Sequence, residues 1–236
     1  MKENKKIPNY LSKYRTNLIL SPEIIRTASG IIINGRRYKS FLFSSDVATI
    51  MYSDADAVLA VYPYSPHPAI IKGLSVVSQV PLAAGVGGGI TQGKRSVDVA
   101  KFAESYGCLA VVLNSAVKID TVKEVAKVVD IPIIYTVISD YQELDEYFEA
   151  GVSILNISGA QKTAAIVAYY RELYPEIPII ATGGRKDEHI IETIEAGANA
   201  ITYTPPTTQE VFQKSMTNYR KDLKEEYIEE HPDKYN

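Results

Sequence analysis

Asp46 and His67 are the side chains best typed and placed to move a proton. Asp46 follows the apolar run Phe41-Leu-Phe-Ser-Ser, and His67 lies in Tyr62-Pro-Tyr-Ser-Pro-His-Pro68. A carboxylate or an imidazole just beyond a strand can accept or donate a proton on a bound substrate. Each also has a purely structural reading. Asp46 is suited to cap the helix that follows it, and His67 to pack against a neighbouring tyrosine. Asp140, after a later strand, carries the same ambiguity as Asp46. His67 has no companions at metal-ligand spacing, so no metal site is expected, and no cofactor is expected either. Lys162 has the chemistry of a Schiff-base former, but Gln161-Lys-Thr163 already reads as helical.

A second group suits anion binding. In Ile179-Ile-Ala-Thr-Gly183-Gly184-Arg185, paired glycines follow a strand and precede a helix. Glycine lets backbone N–H groups come close to a ligand, oxyanions favour such nests and helix starts, and Arg185 adds a fork-shaped donor. The alternative is a tight turn with a solvated arginine. Gly85-Val-Gly87-Gly88-Gly89-Ile-Thr-Gln-Gly93-Lys94-Arg95 has the Gly-to-Lys spacing of a nucleotide-binding P-loop. Arg95 replaces the hydroxyl that would hold magnesium, so that match is a decoy. The loop reads instead as a mobile lid or as ordinary surface. Tyr64, Gly87, Gly88, Asn114 and Asn156 are the expected substrate contacts, each at or just beyond a strand end.

The elements that must position these residues show as a repeat. Pro81, Pro132 and Pro178 each open an apolar run, as proline may at the first residue of a strand. Gly107, Gly151 and Gly197 mark helix ends. The two series interleave with a period of about 45–50 residues, and one period holds strand, helix, strand, helix. Strands are predicted at 41–45, 57–62, 81–85, 109–113, 132–137, 152–157, 178–181 and 200–203. All are nearly continuous apolar runs, as in parallel strands buried on both faces. Intervening segments space their apolar residues three and four apart, as in Val97, Ala100 and Ala103. Eight strands each followed by a helix imply a closed (β/α)8 TIM barrel with its working face at the strand C-termini. One domain over 1–236 is expected. Residues 1–40 form an extension with a hairpin at Asn34-Gly35 that caps the N-terminal mouth. Residues 41–220 form the barrel, and 221–236 a charged, solvated tail.

Here the chain resembles the phosphate-binding β/α barrels: ribulose-phosphate epimerase-like, ketodeoxyphosphogluconate aldolase-like and glycerol-3-phosphate-responsive antiterminator-like proteins. The resemblance rests on residues 179–204, with Thr-Gly-Gly before a helix, Glu195-Ala-Gly-Ala198 and Ala200-Ile-Thr-Tyr-Thr204. It implies a phosphate held by Gly183, Gly184 and Arg185, with Ser158 and Gly159 on a second phosphate-side loop and Thr204 and Thr207 after the last strand. One departure stands out. Those families offer Gly-Ser or Ser-Asn there, whereas this chain has Thr204-Pro-Pro-Thr-Thr208, whose prolines lack an N–H. Donors must come from Thr207 and Thr208, and a structural N-cap explains the segment as well.

Composition narrows the partners. With 46% hydrophobic and 22% charged residues the chain reads as globular. A net charge of -3 and no basic stripe with aromatics argue against nucleic acid as a partner. The single cysteine, Cys108, opens an apolar strand and reads as core. With neither a leader-like nor a spanning apolar run, a cytoplasmic protein with no membrane partner is expected. The expected function is lyase or isomerase chemistry on a small phosphorylated, sugar-phosphate-like metabolite. A phosphometabolite-responsive regulator, using the basic segment Lys2, Lys5, Lys6, Lys13 and Arg15, and a non-catalytic barrel are the alternatives. The abundant tyrosines would suit a homo-oligomer interface.

Overall fold

The computed structural model describes residues 8–10, 13 and 18–232. Lys2, Lys5, Lys6 and Arg15 of the basic segment lie outside the described residues. Two short strands, β1 (Ile31–Ile33) and β2 (Arg36–Tyr38), pair antiparallel. Asn34 and Gly35 turn between them with φ of 49° and 80°, the left-handed pair that an Asn-Gly hairpin needs.

Eight parallel strands follow: β3 (Ser40–Phe43), β4 (Ala57–Ala60), β5 (Leu82–Gly87), β6 (Ala110–Asn114), β7 (Ile133–Val137), β8 (Val152–Ile157), β9 (Ile179–Thr182) and β10 (Ala200–Tyr203). They close in chain order, with β10 pairing β3. Each leads into a helix: α1 (Val47–Met51), α2 (Pro68–Val77), α3 (Lys94–Ser105), α4 (Ile119–Ala126), α5 (Asp145–Glu149), α6 (Thr163–Leu173), α7 (Asp187–Glu195) and α8 (Thr208–Glu230).

The prolines fall one residue before β5, β7 and β9. Their carbonyls accept ladder bonds from Val58, Val111 and Leu155, so the missing N–H costs nothing. Gly107, Gly151 and Gly197 end α3, α5 and α7 with positive φ.

Alternation along the strands builds two cores. Phe41, Ala57, Leu59, Ala83, Ala110, Val112, Ile134, Ile154, Ile180 and Ala200 fill the barrel. Ile31, Ile33 and Tyr38 of the hairpin join that cluster, so the hairpin plugs the N-terminal mouth as expected. Leu42, Val58, Val111, Tyr135, Leu155 and Ile201 alternate outward and pack beneath the helices. Cys108 is buried there, and burial pushes its thiol up to about 11.

The N-terminal segment runs along the outer wall. Ser21 donates from its N–H and its hydroxyl to Asp54 at 2.6 Å, and Ile25 is buried. A 3-10 turn over Glu23–Thr27 packs against α7. By contrast α8 buries none of its residues and runs unbroken past position 221 to Glu230. Among the described residues, no helix is long and apolar enough to cross a membrane.

Two polar clasps hold these layers. Arg171 on α6 spreads its fork over the Gly197, Pro175 and Ile177 carbonyls and the Asn199 side chain, at 2.7 to 2.9 Å. Asn199 in turn accepts the Ile179 N–H at the start of β9. Asp46 caps α1 by accepting the Thr49 N–H at 2.7 Å, and it accepts the Thr208 hydroxyl of α8 at 2.9 Å.

Arg171→Lys cannot reproduce the fork. It should cost about 1.5–3 kcal/mol in urea unfolding, and a loss near zero would mean water satisfies those carbonyls. Asp46→Ala should cost about 1 kcal/mol at neutral pH, as for other lost caps. The bond from Thr49 N–H, more than that from Thr208, holds the Asp46 carboxyl below its usual value. The wild-type advantage over Asp46→Ala should therefore be full above about pH 4, the unfolded value, and shrink as pH falls through the lower folded value. A pH-independent difference would contradict this account.

Candidate functional site

At or near its C-terminal end each barrel strand has one more inward position, two residues beyond its last core residue. On β6 to β10 these are Asn114, Thr136, Asn156, Thr182 and Thr202. On β3, β4 and β5 they are Phe43, Val61 and Gly85, and Val61 packs on the inner core. The C-terminal mouth therefore has a neutral polar arc on five adjacent strands and an apolar arc on three. None of these eight residues is ionisable. Asn156 donates from Nδ2 to Thr136 Oγ1 at 3.1 Å. Asn156 Oδ1 and Thr202 Oγ1 are buried with no protein partner.

The loops supply the charge. Asp46 and His67 both sit at N-caps. Asp46 Oδ1 is committed to Thr49 and Thr208, and His67 Nδ1 accepts the Ala69 N–H at 3.1 Å. The His67 N–H donates to the Tyr62 hydroxyl at 3.2 Å. The capping reading of Asp46 is thus present, while His67, whose structural alternative was packing against a tyrosine, caps α2 with its ring, and Asp46 Oδ2 and His67 Nε2 are left over. Asp140 and Lys162 are exposed, and Lys162 lies in a 3-10 turn before α6, helical as expected.

At the expected phosphate grip the groups have unequal tasks. The Gly183 N–H is spent on the Thr202 carbonyl at 3.0 Å, and a Cβ there would meet Ile190 and Ile201 at 2.7 Å. Gly183 is a close-packing residue, while Gly184, with φ of 72°, forms the open turn. A cavity of about 280 Å³ lies beside it, lined by Thr182, Gly184, Gln161 and His189. The Gly159 N–H goes to Thr163 Oγ1 at 3.1 Å, and Ser158 donates its N–H to the Val137 carbonyl. Thr204 is exposed.

Thr207 caps α8 in a closed box with Glu210. The Glu210 carboxylate accepts the Thr207 N–H at 2.7 Å and its hydroxyl at 3.0 Å, while the Thr207 hydroxyl takes the Glu210 N–H at 3.1 Å. Arg185 Nη1 stands 3.5 Å from the same carboxylate. These donors hold the Glu210 carboxyl below its usual range, the Thr207 N–H most of all. Glu210 escaped the sequence reading, although Thr-x-x-Glu is the capping-box signature. Thr136, Thr182 and Thr202 escaped it too. Their signal was the two-residue step from Ile134, Ile180 and Ala200.

The glycine-rich loop carries its own turn and side-chain ties. Gly88 and Thr91 exchange backbone bonds around Gly89-Ile90. The Gln92 side chain ties the loop to the Ala116 carbonyl and the Lys118 N–H. A Cβ on Gly88 would meet Asn114 backbone oxygen at 2.5 Å, so glycine is needed for close approach to β6. With Gly87, Asn114, Tyr62 and Tyr64 the loop lines a cavity of about 240 Å³ over the apolar arc. Among the described residues no group of three or more His, Cys, Asp or Glu could hold a metal ion.

No family model and no curated protein sequence matches the chain. Solved structures do resemble it. Phosphoenolpyruvate phosphomutase from Streptomyces platensis subsp. rosaceus superposes with a TM-score of 0.61 at 13% identity, over 83% of this chain and 87% of that one. A phosphonopyruvate hydrolase gives 0.56 at 12% identity, over 81% and 95%. The 4-hydroxy-tetrahydrodipicolinate synthase from Methylacidiphilum fumariolicum SolV gives 0.55 at 15% identity, over 71% and 68%. Likeness of this degree establishes the (β/α)8 barrel and selects none of the phosphate-binding families that the sequence resembles.

Proposed function

We propose that this barrel is an enzyme of lyase or isomerase type acting on a small phosphorylated metabolite. The phosphate sits at the loops after β9 and β10. One observation carries the reading: Arg185 and the N–H and hydroxyl of Thr207 already converge on an anionic group, the Glu210 carboxylate. Glu210 stands where a phosphate would be received at the start of a long helix. Its ion pair with Arg185 is about half exposed, with side-chain exposures of 61% and 49%. Such exposed pairs contribute little, so a dianionic ligand can displace Glu210 cheaply.

Around the barrel, β9, β10, β3 and β4 are consecutive. Arg185, Thr207, Asp46 and His67 therefore follow four neighbouring strands, and the Thr208–Asp46 bond joins the anion locus to the first carboxylate. Proton transfer falls to Asp46 Oδ2 and His67 Nε2, because the inward arc has no titratable side chain. Tyr64, Gly87, Gly88, Asn114 and Asn156 contact the rest of the substrate. Two of the structural neighbours are named for phosphorylated or phosphonate compounds, which agrees with this class.

Glu210→Gln keeps the capping box, since glutamine serves there as well as glutamate, and removes the competing charge. It should bind inorganic phosphate more tightly than wild type in calorimetric titration. Arg185→Ala should bind it more weakly than either. Phosphate that binds to neither wild type nor Glu210→Gln, or that ignores Arg185→Ala, would end the proposal.

A further inference from the structure

We infer that the barrel mouth selects an uncharged, hydroxyl-bearing end of the ligand, and that Asn156 and Thr202 determine this specificity. The inference rests on the reading above only in taking the mouth as the ligand site. Its own basis is the neutral arc.

Asn156 and Thr202 are 5% and 3% exposed, at the inward end of β8 and β10. Asn156 Oδ1 and Thr202 Oγ1 have no partner within the protein. Buried polar atoms are nearly always paired, by protein, water or ligand. Donation from Asn156 Nδ2 to Thr136 Oγ1 fixes the amide, which leaves Oδ1 as a buried acceptor with no protein partner near the C-terminal end of β8. Thr202 offers a hydroxyl that donates or accepts.

A ligand carboxylate fits this arc poorly. Its oxygens would face the Asn156 acceptor, and no Lys, Arg or His stands among Asn114, Thr136, Asn156, Thr182 and Thr202 to offset its charge. An ammonium fits as poorly, since the arc holds no carboxylate. A hydroxyl both donates and accepts without charge, so it can donate to Asn156 Oδ1 and accept from Thr202. Hydroxyls on neighbouring carbons can serve the whole arc, while Phe43, Val61 and Gly85 across the mouth take the carbon skeleton.

The test compares erythritol phosphate with erythronate phosphate, which differ only in carrying a hydroxymethyl or a carboxylate at the far end. Free erythritol and inorganic phosphate serve as single-end probes. Wild type should prefer the polyol phosphate by about tenfold or more, the worth of a buried hydrogen bond. Thr202→Val and Asn156→Leu should reduce that preference and weaken erythritol, yet leave inorganic phosphate binding as it is. Thr202→Val removes only an unpartnered hydroxyl, so it should fold at least as stably as wild type. Equal binding of the two phosphates would overturn the inference. So would a polyol phosphate no tighter than inorganic phosphate, because water alone would then satisfy the two atoms. Loss of inorganic phosphate binding with the erythritol preference intact would count against the phosphate locus and leave this inference standing.

Discussion

Closure of the sheet, made where β10 pairs with β3, is the constraint from which the other features follow. Once closed, no barrel strand keeps a free edge, and every residue on those strands faces either the axis or the helices. The axial face must then be filled to the density of a solid. Phe41, Leu59, Val112, Ile134 and Ile154 supply bulk, and Ala57, Ala83, Ala110 and Ala200 make room for it. The hairpin completes the job from below, with Ile31, Ile33 and Tyr38 closing the N-terminal mouth.

The same closure leaves the other mouth open and makes its polarity a matter of one residue per strand. Neutral amides and hydroxyls end five strands, and Phe43, Val61 and Gly85 end three. Because charge cannot be buried unpaired at low cost, the ionisable groups stand back on the loops, where solvent or a cap can satisfy them. Asp46 and His67 do both tasks at once, since one atom of each holds a helix start and one remains free. Glu210, Thr207 and Arg185 satisfy one another at the start of α8.

Glycine has three distinct tasks around this face. Gly183 and Gly159 let helices pack closely, since a Cβ would meet Ile190 and Ile201 in one case and Ile166 in the other. Gly88 lets its loop lie against Asn114. Gly184, with positive φ, forms an open turn beside the cavity after β9. A run of glycines therefore reports tight packing as readily as mobility, as the contact of Gly88 with Asn114 shows in the loop after β5.

The sequence alone determined the periodic part of this protein. Proline before strands, glycine after helices and apolar runs between them are local signals, and they specified eight strands, eight helices and the Asn34-Gly35 hairpin. Capping was legible as well, because Thr-x-x-Glu and a lone Asp before a helix act within four residues. What only the tertiary structure decided is which side chains meet. Arg185 and Glu210 come from different βα units. Thr208 reaches Asp46 across 162 positions. The mouth arc draws one residue from each of five strands. Such neighbours are set by barrel closure and by the stagger of the strands, and neither leaves a mark in the local spacing of residues.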